Sequence, residues 1–392
     1  MKLFDFLTLF LVSSAVSAHP GGDASEKLRE ARKALVSRVS NLDHCQAKMA
    51  ARGIHASAVE RRSGLASSLS KRDLGSLGRR GYDPVWVDHE ANLSLSATTS
   101  LDEIFAGKHS VVLFPEEEEG PYYIEGEYIR SKLIEDQEGV PLTMDLQFVD
   151  VETCEPVQGA VIEIWSCNST GVYSGVVEAG NGNGTGDPAN INATFLRGAQ
   201  ITDNIGAVQF TTLFPGHYYP RTTHIHVDVH LNPETFPNGT VRGDTSAHVG
   251  QLYFDQDLIA AVEGQYPYTT NTNQFTYNKD DWIVAMDAAR GWQADPFFEY
   301  IKLGNDIQDG VLAWISMGVN MSYTRVVSSP ATLYADGGVQ KPNVTAEDGV
   351  PEFLTSLNAM ERSSYFAKVA TETATPIPTQ TFPVTATATP WL

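Results

Sequence analysis

Cysteine is scarce in this chain, with 3 in 392 residues. Their scatter, at Cys45, Cys154 and Cys167, disfavours a zinc site built on three thiolates. Positive charge is scarce as well: 27 Lys and Arg stand against 48 Asp and Glu, for a formal net charge of −21. The one dense basic stretch lies near the N-terminus, so no surface is offered that could neutralise a phosphate backbone, and nucleic-acid binding is excluded. Past the first residues no apolar run is long enough to span a bilayer. What the chain does have is core material: 42% of its residues are hydrophobic, enough for one large or two ordinary domains. The acidic excess favours solubility and carries no information about chemistry.

The opening MKLFDFLTLFLVSSAVSA sets Lys2 before an apolar run and ends on small residues, with Val16 and Ala18 suited to precede a cleavage. Residues 1–18 therefore read as a signal peptide, without the length or stop-transfer flank of a membrane anchor. Asn-x-Ser/Thr triplets at Asn92, Asn168, Asn183, Asn192, Asn238, Asn320 and Asn343 fit a glycosylated, secreted, extracellular protein with no membrane contact after cleavage. In an oxidising compartment Cys154 and Cys167, which flank an expected hairpin, are the candidates for a bridge, leaving Cys45 as the odd thiol. The sequence sets no oligomeric state.

From Ser25 to about Arg62 the chain is charged and rich in helix formers, with Leu28, Ala31, Leu35 and Val39 at helical spacing, which predicts one or two helices. The following SGLASSLSKRDLGSLGRRGYD has a linker composition. Its dibasic pairs, Lys71-Arg72 and Arg79-Arg80, suit removal of residues 19–100 as a pro-segment, and an uncut linker is the plainer alternative. From about Leu101 to Tyr334 short β-rich runs alternate with Gly, Pro and Asn, the texture of a β-sandwich, in a domain drawn at 101–350. Within it, the apolar run from Asp255 to Val262 predicts a short surface helix. Residues 351–392 are Thr/Pro-rich and lack a packable pattern, so a disordered tail is expected. The expectation is an all-β protein: a β-sandwich catalytic domain with a helical N-terminal segment and a disordered tail.

The most informative stretch is FPGHYYPRTTHIHVDVH, residues 214–230. Its β-branched residues argue for a strand, in which side chains two apart share a face, so His224 and His226 project together and can hold one metal ion. Asp228 and His230 share that parity but lie farther along, out of reach of the same ion. Ordinary buried or surface histidines are the competing reading. Upstream, a Pro-Gly turn presents Tyr218 or Tyr219 at the head of the strand, and Arg221 lies between them and His224. A phenolate is a hard anionic donor, and two phenolates with two imidazoles favour iron(III) over zinc or copper(I). The second phenol has to come from elsewhere, and TGVYSG places Tyr173 in a turn after the strand AVIEIW.

With those residues in view, the chain resembles the intradiol ring-cleavage dioxygenases, particularly their secreted fungal members, over roughly residues 101–335. The matching blocks are GPYYIEGEYIRS at 120–131, DLQFVDVETCEPVQGAVIEIWSCNSTGVYSG at 145–175, FPGHYYPRTTHIHV at 214–227 and GQLYFDQDLI at 250–259. The resemblance implies one Fe(III) per chain, with Tyr173, Tyr218, His224 and His226 as ligands. Tyr219 occupies a position where the family has none. It further implies that Arg221 stabilises charge on the substrate ring, that Gln251 lies beside the substrate, and that Pro121 and Tyr122 line its pocket. Substrates would be a small aromatic diol and O₂, and the product a muconate-type diacid. PEEEE at 115–119 reads as a solvated acidic run.

Two readings from other classes stand beside this one. A secreted β-sandwich binding module could keep the motif without catalysis, and would be colourless and metal-free. A hydrolase using His224, His226 and a carboxylate such as Asp228 would bind zinc and tolerate loss of Tyr173.

Overall fold

The computed structural model describes residues 42–70, 89–90, 112–113, 116–117, 119–284 except 179, 183 and 244, and 295–341. The signal peptide, the Leu28–Val39 stripe, both dibasic pairs, the Thr/Pro-rich tail and the sequons at Asn92, Asn183 and Asn343 lie outside the described residues.

Strands form where β-branched and aromatic residues alternate between two faces. Ten of them matter here: β1 (Val112–Leu113), β2 (Pro141–Asp150), β3 (Val161–Trp165), β4 (Arg197–Ile201), β5 (Ala207–Leu213), β6 (His224–His230), β7 (Thr245–Tyr253), β8 (Glu299–Lys302), β9 (Val311–Val319) and β10 (Arg325–Val326). One sheet runs in the order β1-β9-β2-β5, with β8 also paired to β9, and the other in the order β10-β7-β6-β3-β4. The pair β9–β2 is parallel, while β6 is antiparallel to both β7 and β3.

The two sheets pack face to face over one core. Leu142, Met144, Leu146 and Phe148 of β2 and alternate residues of β9 meet Ile162, Ile164, Ile225, Val227, Val229 and Leu252 from the other sheet. The all-β expectation is met, and so is the short helix, which spans Gln256–Glu263 and buries Leu258, Ile259 and Val262.

Outside the first sheet lie two helices, α1 (Gln46–Ala51) and α2 (Ile54–Leu69), separated by Gly53 in the left-handed region at φ 68°. Helix α2 runs well past Arg62 into the stretch read from composition as linker. The reason is burial: Ala66 packs with Ile301, Leu303, Leu312 and Trp314, and Val59, Leu65 and Leu69 line the same contact. The helix also brings Arg61 and Arg62 onto the fully buried Asp145, at 2.5 and 2.9 Å. Among the described residues no helix is long and apolar enough to cross a membrane.

The cysteine expectation fails. Cys45 is bridged to Cys154, tying the helical segment to the turn after β2, and Cys167 is the free, buried thiol. Cys154 and Cys167 lie at opposite ends of β3, with no return strand between them. At about 3.3 Å per residue that strand holds them farther apart than the roughly 7 Å Cα limit of a disulfide. Nor are Glu116 and Glu117 of the acidic run solvated. Glu116 and Glu117 are buried, and Glu116 pairs with His248 at 2.7 Å and with Arg325 at 3.4 Å.

Candidate metal and catalytic centre

Parity along β6 places the site. Ile225, Val227 and Val229 go to the sandwich core, so His224, His226, Asp228 and His230 project from the opposite face of the sheet. That outer face is covered in turn by residues 120–128 and by the loop after β3, which is why all seven residues of β6 are buried. Gly120 passes directly over His226: at φ +72° a Cβ there would lie 3.2 Å from the ring.

The two imidazoles converge, with Nε2 atoms 3.1 Å apart. His224 donates Nδ1–H to the Thr222 carbonyl at 2.6 Å, which leaves its Nε2 lone pair facing the site. His226 is clamped by Trp165, whose ring stacks on it at 4.6 Å and 6°. Burial, helped by the charge of Arg221, pushes His224 down to about 3, and burial also holds His226 well below its usual value. Both rings are therefore neutral, as metal ligation requires.

The Pro-Gly turn buries Tyr218, at 4% exposure, beside His224, and leaves Tyr219 at 48%. Tyr173 is fully buried, its hydroxyl 3.4 Å from His224 Nε2 and its ring edge-on to Tyr218 at 5.4 Å. Burial and then Tyr218 raise the Tyr173 phenol well above its ordinary pKa, so without a compensating cation it keeps its proton.

Donors held about 2.0–2.1 Å from one ion at near-right angles sit roughly 3 Å apart, the separation seen between the imidazoles. Two phenols and two neutral imidazoles around one point fit a hard, highly charged cation, and the residues present fit iron(III) in donor type and number. Asp228 and His230, by contrast, belong to a separate buried network: His230 pairs with Glu163 at 2.7 Å, and Asp228 accepts from Ser246 at 2.5 Å. A third cluster, His44 with Cys45 and Cys154, has both sulfurs consumed by the disulfide.

Arg221 lies against this group. Its guanidinium donates to Gln251 Oε1 at 2.6 Å and to Tyr253 Oη at 3.3 Å, and Nε donates to Asp281 at 2.9 Å. Burial works against its charge, but Asp281, Tyr253 and Tyr218 together overcome burial and raise its pKa well above the ordinary value. Gln251 stands directly across from His226 in the β6–β7 pairing, and Tyr253 across from His224. Tyr122 stacks on Tyr173 at 4.6 Å and meets Tyr218 edge-on at 5.6 Å, with Pro121 buried beside it. The structure thus brings Tyr122, Tyr173, Tyr218, Arg221, His224, His226 and Gln251 together around one point.

Several supports were not foreseen from the sequence. Asn181 and Asn190 donate side-chain amides to the Tyr173 carbonyl at 2.7 and 2.8 Å, pinning its loop. Arg197 holds the Ser174 and Tyr122 carbonyls at 2.9 and 2.6 Å. Asp281 lies 60 residues beyond Arg221. Two asparagines eight and seventeen residues after a tyrosine carry no local signal, whereas the parity of Tyr253 with Gln251 was readable from the strand pattern.

Behind Tyr253, His89 binds Asp255 at 2.5 Å and Asp295 at 3.2 Å and stacks on Phe297. Burial pushes its ring down, but the hydrogen bonds and charges of Asp255 and Asp295 overcome this and raise it to about 10. A folded pKa raised above the unfolded value of 6.5 gives stability that is full below 6.5 and lost as pH rises toward 10. The urea midpoint should therefore fall between about pH 6 and about pH 9.5, and His89→Asn should flatten that fall. An alkaline slope as steep in the variant as in the wild type would remove His89 as the cause.

A sequence model of the family described as Dioxygenase matches residues 118–263. The intradiol ring-cleavage dioxygenase from Tetranychus urticae is 31% identical, over 54% of this chain and 96% of its own, with a TM-score of 0.44. The dioxygenase domain of a carbohydrate-binding fusion protein from Streptomyces sp. SirexAA-E is 21% identical, over 54% and 99%, with a TM-score of 0.33. Catechol 1,2-dioxygenase from Acinetobacter sp. ADP1 is 17% identical, over 53% and 63%, with a TM-score of 0.33. No curated protein matches the chain. By the family match and by its identity to the Tetranychus protein across nearly all of that protein's length, the chain belongs to the intradiol ring-cleavage dioxygenases.

Proposed function

We propose that this chain is an iron(III)-dependent enzyme that uses O₂ to cleave a catechol-type ring between its two hydroxyl-bearing carbons, yielding a muconate-type diacid. One iron per chain would be held by Tyr173, Tyr218, His224 and His226. The observation that carries the reading is the convergence of two neutral imidazole Nε2 atoms, 3.1 Å apart, with the Tyr173 hydroxyl 3.4 Å away. Bound there, iron(III) supplies the Lewis acidity and redox capacity that let a chelated diol react with O₂.

The chain's own residues do the rest. Tyr218, which would hold the iron as a phenolate, would take one hydroxyl proton of the docking diol onto Oη and become a phenol, a role suited to the tyrosine at the outer turn, next to exposed Tyr219. Arg221 stabilises negative charge that develops on the ring, and it is preorganised by the bonds to Gln251 and Tyr253. Gln251 orients the substrate by hydrogen bonding. Tyr122 and Pro121 supply an apolar wall that excludes water. Secretion belongs to the same proposal, supported by the leader pattern, the sequons and the Cys45–Cys154 bridge, since such bridges persist in oxidising compartments.

The test is metal analysis and the visible spectrum of purified protein, before and after adding catechols without O₂, followed by oxygen uptake. Stoichiometric iron, a red charge-transfer band that shifts with catechol, and oxygen consumption are expected. Stoichiometric zinc with no iron, or a colourless metal-free protein, would overturn the reading.

A further inference from the structure

Residues 278–281 lie beyond the matched family segment, yet they grip the centre of the site. Asp281 is fully buried, and its carboxylate is saturated by four N–H donors. Oδ2 accepts from Arg221 Nε at 2.9 Å and from the Thr222 backbone at 2.8 Å. Oδ1 accepts from the backbones of Ile283 at 2.9 Å and Val284 at 3.3 Å. Three of those four donors are backbone, so the carboxylate is held by the chain itself and cannot follow the guanidinium. Asn278 grips the same dipeptide: its Oδ1 accepts from Thr222 Oγ1 at 2.6 Å, while its amide donates to the Phe254 carbonyl at 2.8 Å. The Thr222 carbonyl, in turn, takes the Nδ1–H of His224 at 2.6 Å.

We propose that Asp281 is a positioning residue for the dioxygenase reaction, fixing the Arg221 guanidinium from one side while Gln251 and Tyr253 fix it from the other. The proposal rests on the function proposed above. Its physical basis is that a planar guanidinium anchored only at the Gln251 side can still swing about that contact. A second anchor at Nε defines its plane, and a donor aimed at a developing charge loses most of its value when displaced by about 1 Å. Asp281 also supplies the counter-charge that a buried guanidinium requires. Both of its carboxylate oxygens are taken by these four donors, so it acts through Arg221.

The experiment is a double-mutant cycle on the iron-loaded protein: wild type, Asp281→Asn, Arg221→Leu and the double variant, each assayed for oxygen uptake with catechol per bound iron. Asparagine must turn its NH₂ either toward Arg221 and Thr222 or toward Ile283 and Val284, so one pair of donors loses its acceptor. Asp281→Asn should lower kcat about tenfold or more with iron content kept and KM changed much less. In the Arg221→Leu background the same change should cost less than about twofold, because the group it positions is gone. Losses that simply multiply would mean that Asp281 acts independently of Arg221, and an unchanged kcat in the single variant would end the proposal outright. Should Asp281→Asn not fold, Asp281→Glu takes its place in the cycle with the same expected non-additivity. Failure of the enzymatic reading looks different: wild type itself would then consume no oxygen, while the melting temperatures of the four proteins would still report whether Asp281 and Arg221 act as a unit.

Discussion

Arg221→Leu should leave the protein red, with one iron per chain, and lower its turnover by about 10² to 10³, the usual consequence of removing one preorganised charge-stabilising donor. The structure explains why iron should stay. Arg221 bonds to Gln251, Tyr253 and Asp281 and is not one of the four donors that converge at the site. Asp281 keeps three backbone N–H partners when the guanidinium is gone, so the variant is not left with a bare buried carboxylate. Charge that develops on the ring is present mainly in the transition state, so kcat should suffer more than substrate binding. The measurement is oxygen uptake coupled to the rise of a muconate-type absorbance, at matched iron content. Equal turnover in the two proteins would remove Arg221 from the mechanism, and catechol binding without oxygen use in the wild type would remove the mechanism.

Loss of the metal itself is expected from Tyr173→Phe, His224→Ala and His226→Ala, each of which should bring iron below stoichiometry or abolish the red band. These side chains are fully or almost fully buried, and each supplies one of the four donors proposed to hold the metal, so its loss leaves the site one ligand short. Tyr218→Phe should behave differently, keeping part of its iron but slowing the proton transfer that we assign to its hydroxyl. Tyr219→Phe should change neither iron nor rate, since Tyr219 is half-exposed while Tyr218 is buried among the site residues. Metal content by elemental analysis and the intensity of the visible band give the readout. A silent Tyr218→Phe beside an impaired Tyr219→Phe would shift the ligand register by one residue.

Much of the site was legible because it is local. Alternation along HIHVDVH places His224 and His226 on one side whatever the rest of the chain does, and the observed β6 keeps that pattern over its whole length. The acidic start and apolar run after Tyr253 predicted a helix, and one is there at Gln256–Glu263. The Pro-Gly turn predicted a tyrosine at the head of the strand but left two to choose from. The choice between Tyr218 and Tyr219 depends on which side of the turn the loop after β3 covers, and that loop arrives from more than twenty residues upstream. Glu116 and Glu117 in the acidic run were misread for a related reason. Composition alone favours solvent for consecutive glutamates, and only the approach of His248 and Arg325 makes burial of Glu116 affordable.

By itself the sequence determined the strand-rich class of this protein, the shared face of its two histidines and a set of residue types suited to a hard cation, because backbone periodicity and donor chemistry are properties of short segments. The tertiary structure alone decided the rest. It decided that the outer face of the sheet carries the site, because the β-branched residues between the histidines were claimed by the sandwich core. It decided that Cys45 pairs with Cys154 across 109 residues and that Asp281 anchors Arg221 across 60, since such contacts depend on where the chain returns and not on any local pattern.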